Sequence, residues 1–378
     1  MTDTLTTDAK APGRFGRLYQ GLTTIEFVGR RRIWFTASII VIVIGLCSLG
    51  VRGFNLGIDF KGGSSWEVLA PHSSVSAMST AVSNAGLSNA TVEKLGADTY
   101  QVTADINSLS QAGQVALTNK VVAAMASQAG VATNQVSTAS VGPTWGGQVT
   151  NRALEALIVF FVAVVAYISF RFEPKMALAA FVAMVHDLLV TIGVYSLFGF
   201  QITPDTVIAI LTILGYSLYD TVVVFDRVRD NTGGILKTNT MTYSDMVNLS
   251  MNQTLARSIN TSLVAILPVL SVLLVGADLL GATTLQNYGL ALFVGLMSGA
   301  YSSIFIASPL LAILKEREPR FKDLAQRVAA KGERHSFSAR EAAAMVSEGS
   351  QRVAGVATGA RRPDGSVIAP RPRKQKRR

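Results

Sequence analysis

Apolar runs about as long as a membrane-spanning helix alternate with polar stretches along the chain of 378 residues. A bilayer core needs roughly 20 consecutive apolar residues in an α-helix, and helix tilt accommodates modest departures from that length. The six runs lie at residues 33–51, 154–170, 176–198, 206–225, 259–280 and 288–314. The pattern predicts a polytopic α-helical membrane protein, with the first helix at residues 33–51 and five more within residues 149–315.

The first apolar run is expected to remain in the mature protein as a membrane anchor. It follows Arg30, Arg31 and Arg32, as a signal segment would, but no small-x-small cleavage site comes after it. It contains Cys47, the single cysteine of the sequence, so the chain cannot form an intrachain disulfide.

The polar stretch at residues 52–148 is long enough for a small domain. Strand and helix patterns alternate along it in the order βαββαβ. Strands are predicted at residues 65–69, 91–95, 99–103 and 135–141, and helices at residues 75–85 and 111–127. This order is that of a ferredoxin-like α+β domain.

The distribution of charge predicts the orientation of the helices. Lys and Arg are concentrated in four segments that six spans would place on one face of the membrane, at residues 30–32, 171–175, 227–237 and 315–320. The loops on the other face, residues 199–205 and 276–287, contain acidic residues and no Lys or Arg. The positive-inside rule therefore predicts that both termini are cytoplasmic and that the βαββαβ domain is extracytoplasmic.

The two ends of the chain are polar. Residues 1–32 are expected to form a cytoplasmic or interfacial segment, and residues 316–378 a cytoplasmic basic tail. From Arg320 onward the tail is rich in Ala, Gly and Ser, a composition that cannot bury a core, so we expect it to be disordered. Its final RPRKQKRR favours either attraction to anionic membrane lipid, worth ~1 kcal/mol per Lys or Arg, or a role in solubility alone, over ribosome or RNA contact. No nucleic-acid partner is expected.

The candidate functional residues are ionisable groups inside the apolar runs. Asp187 follows His186 near the middle of the third run, and Asp220 lies in the fourth. A carboxylate at the bilayer centre costs ~2.5–3.5 kcal/mol, so such groups usually face a bundle interior or a hydrated cavity. Arg257, just before the fifth run, is placed to reach Asp220. This pair is either a site of proton coupling or a static ion pair, and the residues alone leave both readings open.

Two further expectations concern packing in the spans. His186 is expected to hydrogen-bond a backbone carbonyl rather than to pass a proton to Asp187. Five glycines are expected to allow close approach of helices. They are Gly193, Gly215, Gly289, Gly295 and Gly299.

The sequence predicts no enzyme, cofactor or metal site. It contains no GxxxxGK[ST] loop, and its three histidines and one cysteine show no metal-ligand spacing. The energy source of any transport is therefore expected to be an ion gradient or the ATPase of a partner.

Several motifs resemble those of the SecF family, within the SecD/SecF proteins of the RND superfamily. GIDFKGG at residues 57–63 resembles the signature after the first helix, with Gly57, Asp59, Phe60, Gly62 and Gly63 as its motif residues. The stretches at residues 215–227 and 253–262 resemble the fourth-span and fifth-span motifs, and residues 141–143 and 186–187 also match. The match extends from Phe27 to Pro319, with Tyr219 at a position where the family often has Asn.

The resemblance implies an RND-like bundle that works with SecD in the bacterial plasma membrane. It implies assistance to preprotein export after the SecYEG channel and SecA, driven by the proton-motive force. Asp220 and Arg257, and also Asp187, carry over from the family as residues of the proton pathway. The extracytoplasmic domain would contact the emerging preprotein or the larger domain of SecD.

Three rival interpretations remain open at this stage. An RND-type exporter of small molecules or lipids would share the bundle but normally has about twelve spans. An intramembrane aspartyl protease needs two adjacent carboxylates, and its Gly-x-Gly-Asp motif is absent here. A passive scaffold for SecD and the channel would need no proton movement.

Overall fold

A computed structural model describes residue 23 and residues 25–238, 241–279 and 283–330. The expectations for residues 1–22 and for the tail beyond residue 330 lie outside the described residues. The chain divides into two compact units, which are described separately. The larger unit comprises the described residues within 31–222 and 258–307, and the smaller comprises the described residues within 1–30, 223–257 and 308–378.

Six helices within the described ranges are long and apolar enough to cross a membrane, which confirms the predicted number. α1 is Arg31–Arg52, and α2 is a single turn at Ile58–Lys61. Helices α3 and α4 belong to the small domain described in the next paragraph. The helices that follow this domain are α5 Pro143–Arg171, α6 Pro174–Phe198, α7 Pro204–Thr238, α8 Tyr243–Ser271, α9 Thr283–Ser302, α10 Ser308–Glu316 and α11 Pro319–Ala330. π-helical segments at Val272–Leu279 and Ser303–Ala307 follow α8 and α9. Helices α5, α7 and α8 extend beyond the predicted runs, because hydropathy detects only the apolar part of a helix.

The domain between α1 and α5 has the predicted element order. β1 is Gly63–Leu69, α3 Val75–Asn84, β2 Thr91–Leu95, β3 Thr99–Ala104, α4 Gln111–Ala129 and β4 Ser137–Val141. The strands form one sheet in the order β2-β3-β1-β4, and every neighbouring pair is antiparallel. The structure therefore has the predicted βαββαβ succession and a small antiparallel sheet domain, while its assignment to the ferredoxin-like fold stays a prediction.

The core of this domain lies between the sheet and its two helices. Trp66 and Val102 on the strands, and Met78, Val121 and Met125 on the helices, are fully buried. Serines begin both helices, because a serine hydroxyl satisfies a backbone N–H that has no partner in the first turn. Ser74 accepts from the N–H of Ala77, and Ser110 from that of Gly113.

In the smaller unit, side-chain amides of α8 hold the segment before α1. Asn248 Oδ1 accepts from the backbone N–H groups of Phe27 and Val28, each at 3.0 Å. Asn252 accepts from the N–H of Ile25 and donates to its carbonyl oxygen. The Asn252 amide thus satisfies both the backbone donor and the backbone acceptor of one residue, because an amide side chain carries both kinds of group.

The first part of the predicted disordered tail is a helix, which corrects that expectation. α11 buries Phe321, Leu324 and Val328. The Phe321 ring lies 4.5 Å from that of Tyr243 in the same unit. The spacing of the three apolar residues places them on one helical face, a local signal that the overall polar composition of the tail concealed.

Candidate functional site

Asp187 is surrounded by serine hydroxyl groups in the interior of the larger unit. It lies on α6 and is 0% exposed. Ser217 of α7 and Ser302 of α9 donate to its Oδ2 at 2.6 and 2.7 Å, and Ser298 of α9 donates to its Oδ1 at 2.7 Å. A buried carboxyl group is costly unless it is hydrogen-bonded. Hydroxyls from two neighbouring helices meet this requirement for Asp187.

His186 contacts the same carboxyl group. Its Nδ1 lies 3.1 Å from Asp187 Oδ1. The expected hydrogen bond from His186 to a backbone carbonyl stays a prediction. The imidazole ring is stacked on Tyr301 at a centroid distance of 6.1 Å.

A cavity of about 480 Å³ reaches His186 between α1, α6 and α9. Its lining is mainly apolar, with polar groups from Ser38, Ser298 and Tyr301 beside the histidine. The Tyr301 hydroxyl donates to the carbonyl oxygen of Trp34. His186 and Ser298, which both contact Asp187, thus connect its carboxyl group to the cavity.

Asp220 has a hydroxyl environment of its own. It lies on α7, is 2% exposed, and accepts from Ser258 at 2.9 Å and from Ser303 at 2.6 Å. The two hydroxyls reach different carboxyl oxygens, Oδ1 and Oδ2 respectively. Both predicted aspartates are therefore buried inside the bundle, as their cost in a bilayer requires.

Arg257 lies on α8 and is exposed in this chain. It belongs to the smaller unit, whereas Asp220 belongs to the larger one. The Asp220–Arg257 pair stays a prediction.

The serines are the members of the site that sequence reasoning missed. Ser217 and Ser258 lie inside two of the motif stretches, and Ser298, Ser302 and Ser303 interrupt the sixth apolar run. Serines in a membrane span are thus visible in the sequence. Their contacts with the aspartates are not predictable from it, because a serine can instead bond the backbone carbonyl of its own helix.

The residues of the GIDFKGG motif join α1 to the sheet domain. The N–H of Gly57 donates to the carbonyl of Ile202, whose own N–H donates to the carbonyl of Asn55, both at 2.8 Å. Gly63 has a φ of 125°, and a Cβ there would lie 2.8 Å from the carbonyl oxygen of Ala104. The motif therefore needs glycine at this position, because the left-handed backbone and the close contact both exclude a side chain.

Burial raises the pKa of the Asp59 carboxyl above its usual value, and the nearby Asp205 carboxylate adds to this rise. A hydrogen bond to its own backbone amide partly opposes the effect. The folded chain thus binds a proton here more readily than the unfolded chain. This contribution to stability is complete below the unfolded pKa of about 3.8 and is lost as the pH rises through the folded pKa.

Asp59→Asn should accordingly stabilise the chain at pH 7 and have less effect near pH 4. We expect a gain below about 1 kcal/mol, because solvent screens a partly exposed carboxylate. The measurement is the thermal unfolding midpoint of the purified chain in detergent at both pH values. Asp323→Asn, at an exposed position of α11, is the control. An equal loss of stability at both pH values would contradict the argument.

The comparisons with known proteins agree with the motifs. The family profile described as protein export membrane protein SecD/SecF, C-terminal, matches residues 121–317, and the SecD/SecF GG motif matches residues 48–68. The protein translocase subunit SecF of Streptomyces coelicolor is 43% identical over 334 residues, which cover 88% of each chain. The chain belongs to the SecF family. The resemblance inferred from the sequence motifs is thereby confirmed.

Longer relatives combine SecD and SecF in their name. The Bacillus subtilis protein translocase subunit SecDF is 33% identical over 317 residues, which are 80% of this chain and 39% of that one. The crystal structure of SecDF, a translocon-associated membrane protein from Thermus thermophilus, matches with a TM-score of 0.68 and 31% identity over 78% of this chain and 39% of that chain. This SecF-family chain thus spans about two fifths of the SecDF chains that it matches.

Proposed function

We propose that this chain is the SecF subunit of an accessory complex of the Sec translocase. It works with SecD to promote late steps of preprotein export across the bacterial plasma membrane, downstream of the SecYEG channel and SecA. The proton-motive force supplies the energy. The observation that carries this proposal is the pair of carboxyl groups buried in membrane-spanning helices of a SecF-family chain, each surrounded by hydroxyls from other helices.

The names of the SecDF relatives, which combine SecD and SecF, support SecD as the partner. The basic loops support an orientation with both termini in the cytoplasm and the sheet domain outside it. There the domain is positioned to contact the emerging preprotein or SecD.

Asp220, Asp187 and Arg257 are the proposed proton-pathway residues. One charge that crosses 100 mV releases ~2.3 kcal/mol. This energy is enough to change a two-state equilibrium more than tenfold, since ~1.4 kcal/mol corresponds to one decade. A hydroxyl can both donate and accept, so the serines can satisfy each aspartate in its ionised and its protonated form.

The test is completion of export by stalled preproteins in proteoliposomes that contain the translocase, this full chain and its SecD partner. ATP is removed after SecA has inserted part of the preprotein, and a proton gradient is then imposed. We expect completion only when the complex and the gradient are both present. Equal completion after collapse of the gradient would favour a passive scaffold. Absence of a stable complex with SecD would favour an exporter of small molecules or lipids.

A further inference from the structure

Two adjacent serines contact the two buried carboxyl groups. Ser302 donates to Asp187 on α6 at 2.7 Å, and Ser303 donates to Asp220 on α7 at 2.6 Å. Successive residues of a helix point about 100° apart, so neighbours in sequence can face different helices. The backbone between Ser302 and Ser303 is consequently a direct structural connection between the two aspartates.

Each of these hydroxyls has a second acceptor within reach. Ser302 Oγ lies 3.3 Å from the carbonyl oxygen of Gly299, and Ser303 Oγ lies 3.3 Å from that of Ala300. A hydroxyl carries one hydrogen but can also accept. When the carboxyl group is ionised, the serine donates to it. When the carboxyl group is protonated, its O–H can donate to the serine, which then donates to its own helix.

The two serines lie where the helix changes its geometry. α9 ends at Ser302, and the π-helical segment Ser303–Ala307 begins at the next residue. Single-turn π-helical segments interrupt the regular hydrogen-bond ladder and are frequent at functional sites. A hydrogen bond gained or lost by the carbonyl groups of Gly299 and Ala300 therefore acts on the backbone directly before this interruption.

We infer that Ser302 and Ser303 are positioning residues that couple the protonation of Asp220 to that of Asp187. This inference rests on the proposed function and specifies how its two carboxyl groups act together. The serines exchange hydrogen bonds between a carboxyl group and the helix backbone, and no proton passes along them. A proton bound at one aspartate changes the hydrogen bonding of one serine, and thereby the position of the next.

Other titratable groups surround the two aspartates. His186 contacts Asp187 from its own helix, and Tyr301 of α9 is stacked on that histidine. Tyr216 of α7 interacts electrostatically with Asp220 and with Tyr219. Arg257 is the neighbour in sequence of Ser258, which bonds Asp220. The serine variants below leave all of these groups in place.

A second connection between the aspartates must be distinguished from the serine pair. Ser217 lies three residues before Asp220 on α7 and donates to Asp187. It would carry the coupling through α7 rather than through α9.

The experiment measures labelling of Asp220 by a hydrophobic carbodiimide, which reacts with protonated carboxyl groups, as a function of pH. It uses the full chain in complex with its partner in proteoliposomes. Asp187→Asn should shift the labelling midpoint of Asp220 by about 0.4–2 pH units, the range expected for residues of one hydrogen-bond network. In the Ser302→Ala and Ser303→Ala backgrounds, this shift should disappear.

Matched variants make the result specific. Ser302→Thr and Ser303→Thr keep the hydroxyl and should retain the shift. Ser271→Ala should also retain it, because Ser271 bonds only the carbonyl of Leu267 among the partners described for it. Thermal unfolding identifies any variant that fails to fold. If an alanine variant fails to fold, the inference is tested by the threonine variants, in which loss of the shift would contradict it.

Three outcomes would overturn the inference. The first is an unchanged Asp220 midpoint in Asp187→Asn, and the second is a shift that persists in both alanine backgrounds. The third is loss of the shift in Ser217→Ala alone, which would assign the coupling to α7. Labelling is measured without export, so failure of the coupling is distinguishable from failure of the proposed function, which appears as gradient-independent export by the unmodified chain.

Discussion

Asp220→Asn is expected to abolish the stimulation of export by the proton gradient while leaving the ATP-driven steps of SecA in place. Asn has nearly the same shape as Asp, and its side-chain amide can bond both Ser258 and Ser303, which contact the carboxyl group. It cannot gain or lose a proton in the accessible pH range. With ~2.3 kcal/mol available per charge at 100 mV, the gradient-dependent rate should fall by more than tenfold.

The measurement is completion of export in the proteoliposome assay at matched amounts of the complex. Asp323→Asn makes the same chemical change at an exposed position of α11 and should behave like the unmodified chain. If Asp220→Asn retained the full response to the gradient, Asp220 would be a structural residue. The proton pathway would then have to be sought at Asp187, and the passive-scaffold interpretation would gain support.

The helices and strands followed from local patterns in the sequence. Among the described residues, the apolar runs predicted the six helices that are long and apolar enough to span a membrane, because apolar length is the property that a bilayer selects. In the sheet domain, the strand predicted at residues 91–95 is observed with the same bounds. A serine marks the start of each helix of this domain, and a glycine marks the end of α4. These capping residues are adjacent in sequence to the helix ends that they mark, so a single sequence shows them.

Local sequence patterns did not predict which side chains contact the two aspartates of the site. Asp187 and Asp220 stood out because a charge in an apolar run is costly. Their serine partners lie between 30 and 115 residues away in sequence. Nothing in a single sequence indicates which of many serines faces which carboxyl group. Register and rotation of the helices decide these contacts.

The glycines show the same limit. Four of the five predicted close-approach positions are confirmed, since a Cβ at Gly193, Gly289, Gly295 or Gly299 would lie 3.0 Å or less from another residue. Gly215 is the exception, because a Cβ there would meet no atom of the described residues within 4 Å. Composition identifies residues that permit a close approach, but only the packed structure shows where one occurs.

Two glycines bring the backbones of α1 and α6 into close contact, and only one of them, Gly193, was predicted from the sequence. Gly45 of α1 faces Gly193 of α6, and a Cβ at Gly45 would lie 2.6 Å from the Cα of Gly193. In the reverse direction, a Cβ at Gly193 would lie 2.9 Å from the Cα of Gly45. These are backbone atoms, so no side chain can rotate away. Small residues that let helices approach this closely are a main source of helix association in membranes.

Gly45→Ala should therefore destabilise the packing of α1 on α6 by about 1–3 kcal/mol, the usual cost of overpacking a close contact. Gly50→Ala is the matched control in the same helix, because a Cβ there meets no described atom within 4 Å. It should be neutral or stabilise the chain by up to about 1 kcal/mol, since Ala favours the helix more than Gly does. Thermal unfolding in detergent measures both changes, and equal effects at the two positions would contradict the prediction.

The double substitution Gly45→Ala with Gly193→Ala tests whether the two glycines form one contact. Each single substitution must separate the same two helices, and the separation caused by the first makes room for the second. The double variant should consequently lose less stability than the sum of the two single variants, with an interaction energy of about 0.5 kcal/mol or more. Strict additivity would mean that each glycine meets a different neighbour. The crossing of α1 and α6 would then not depend on this pair.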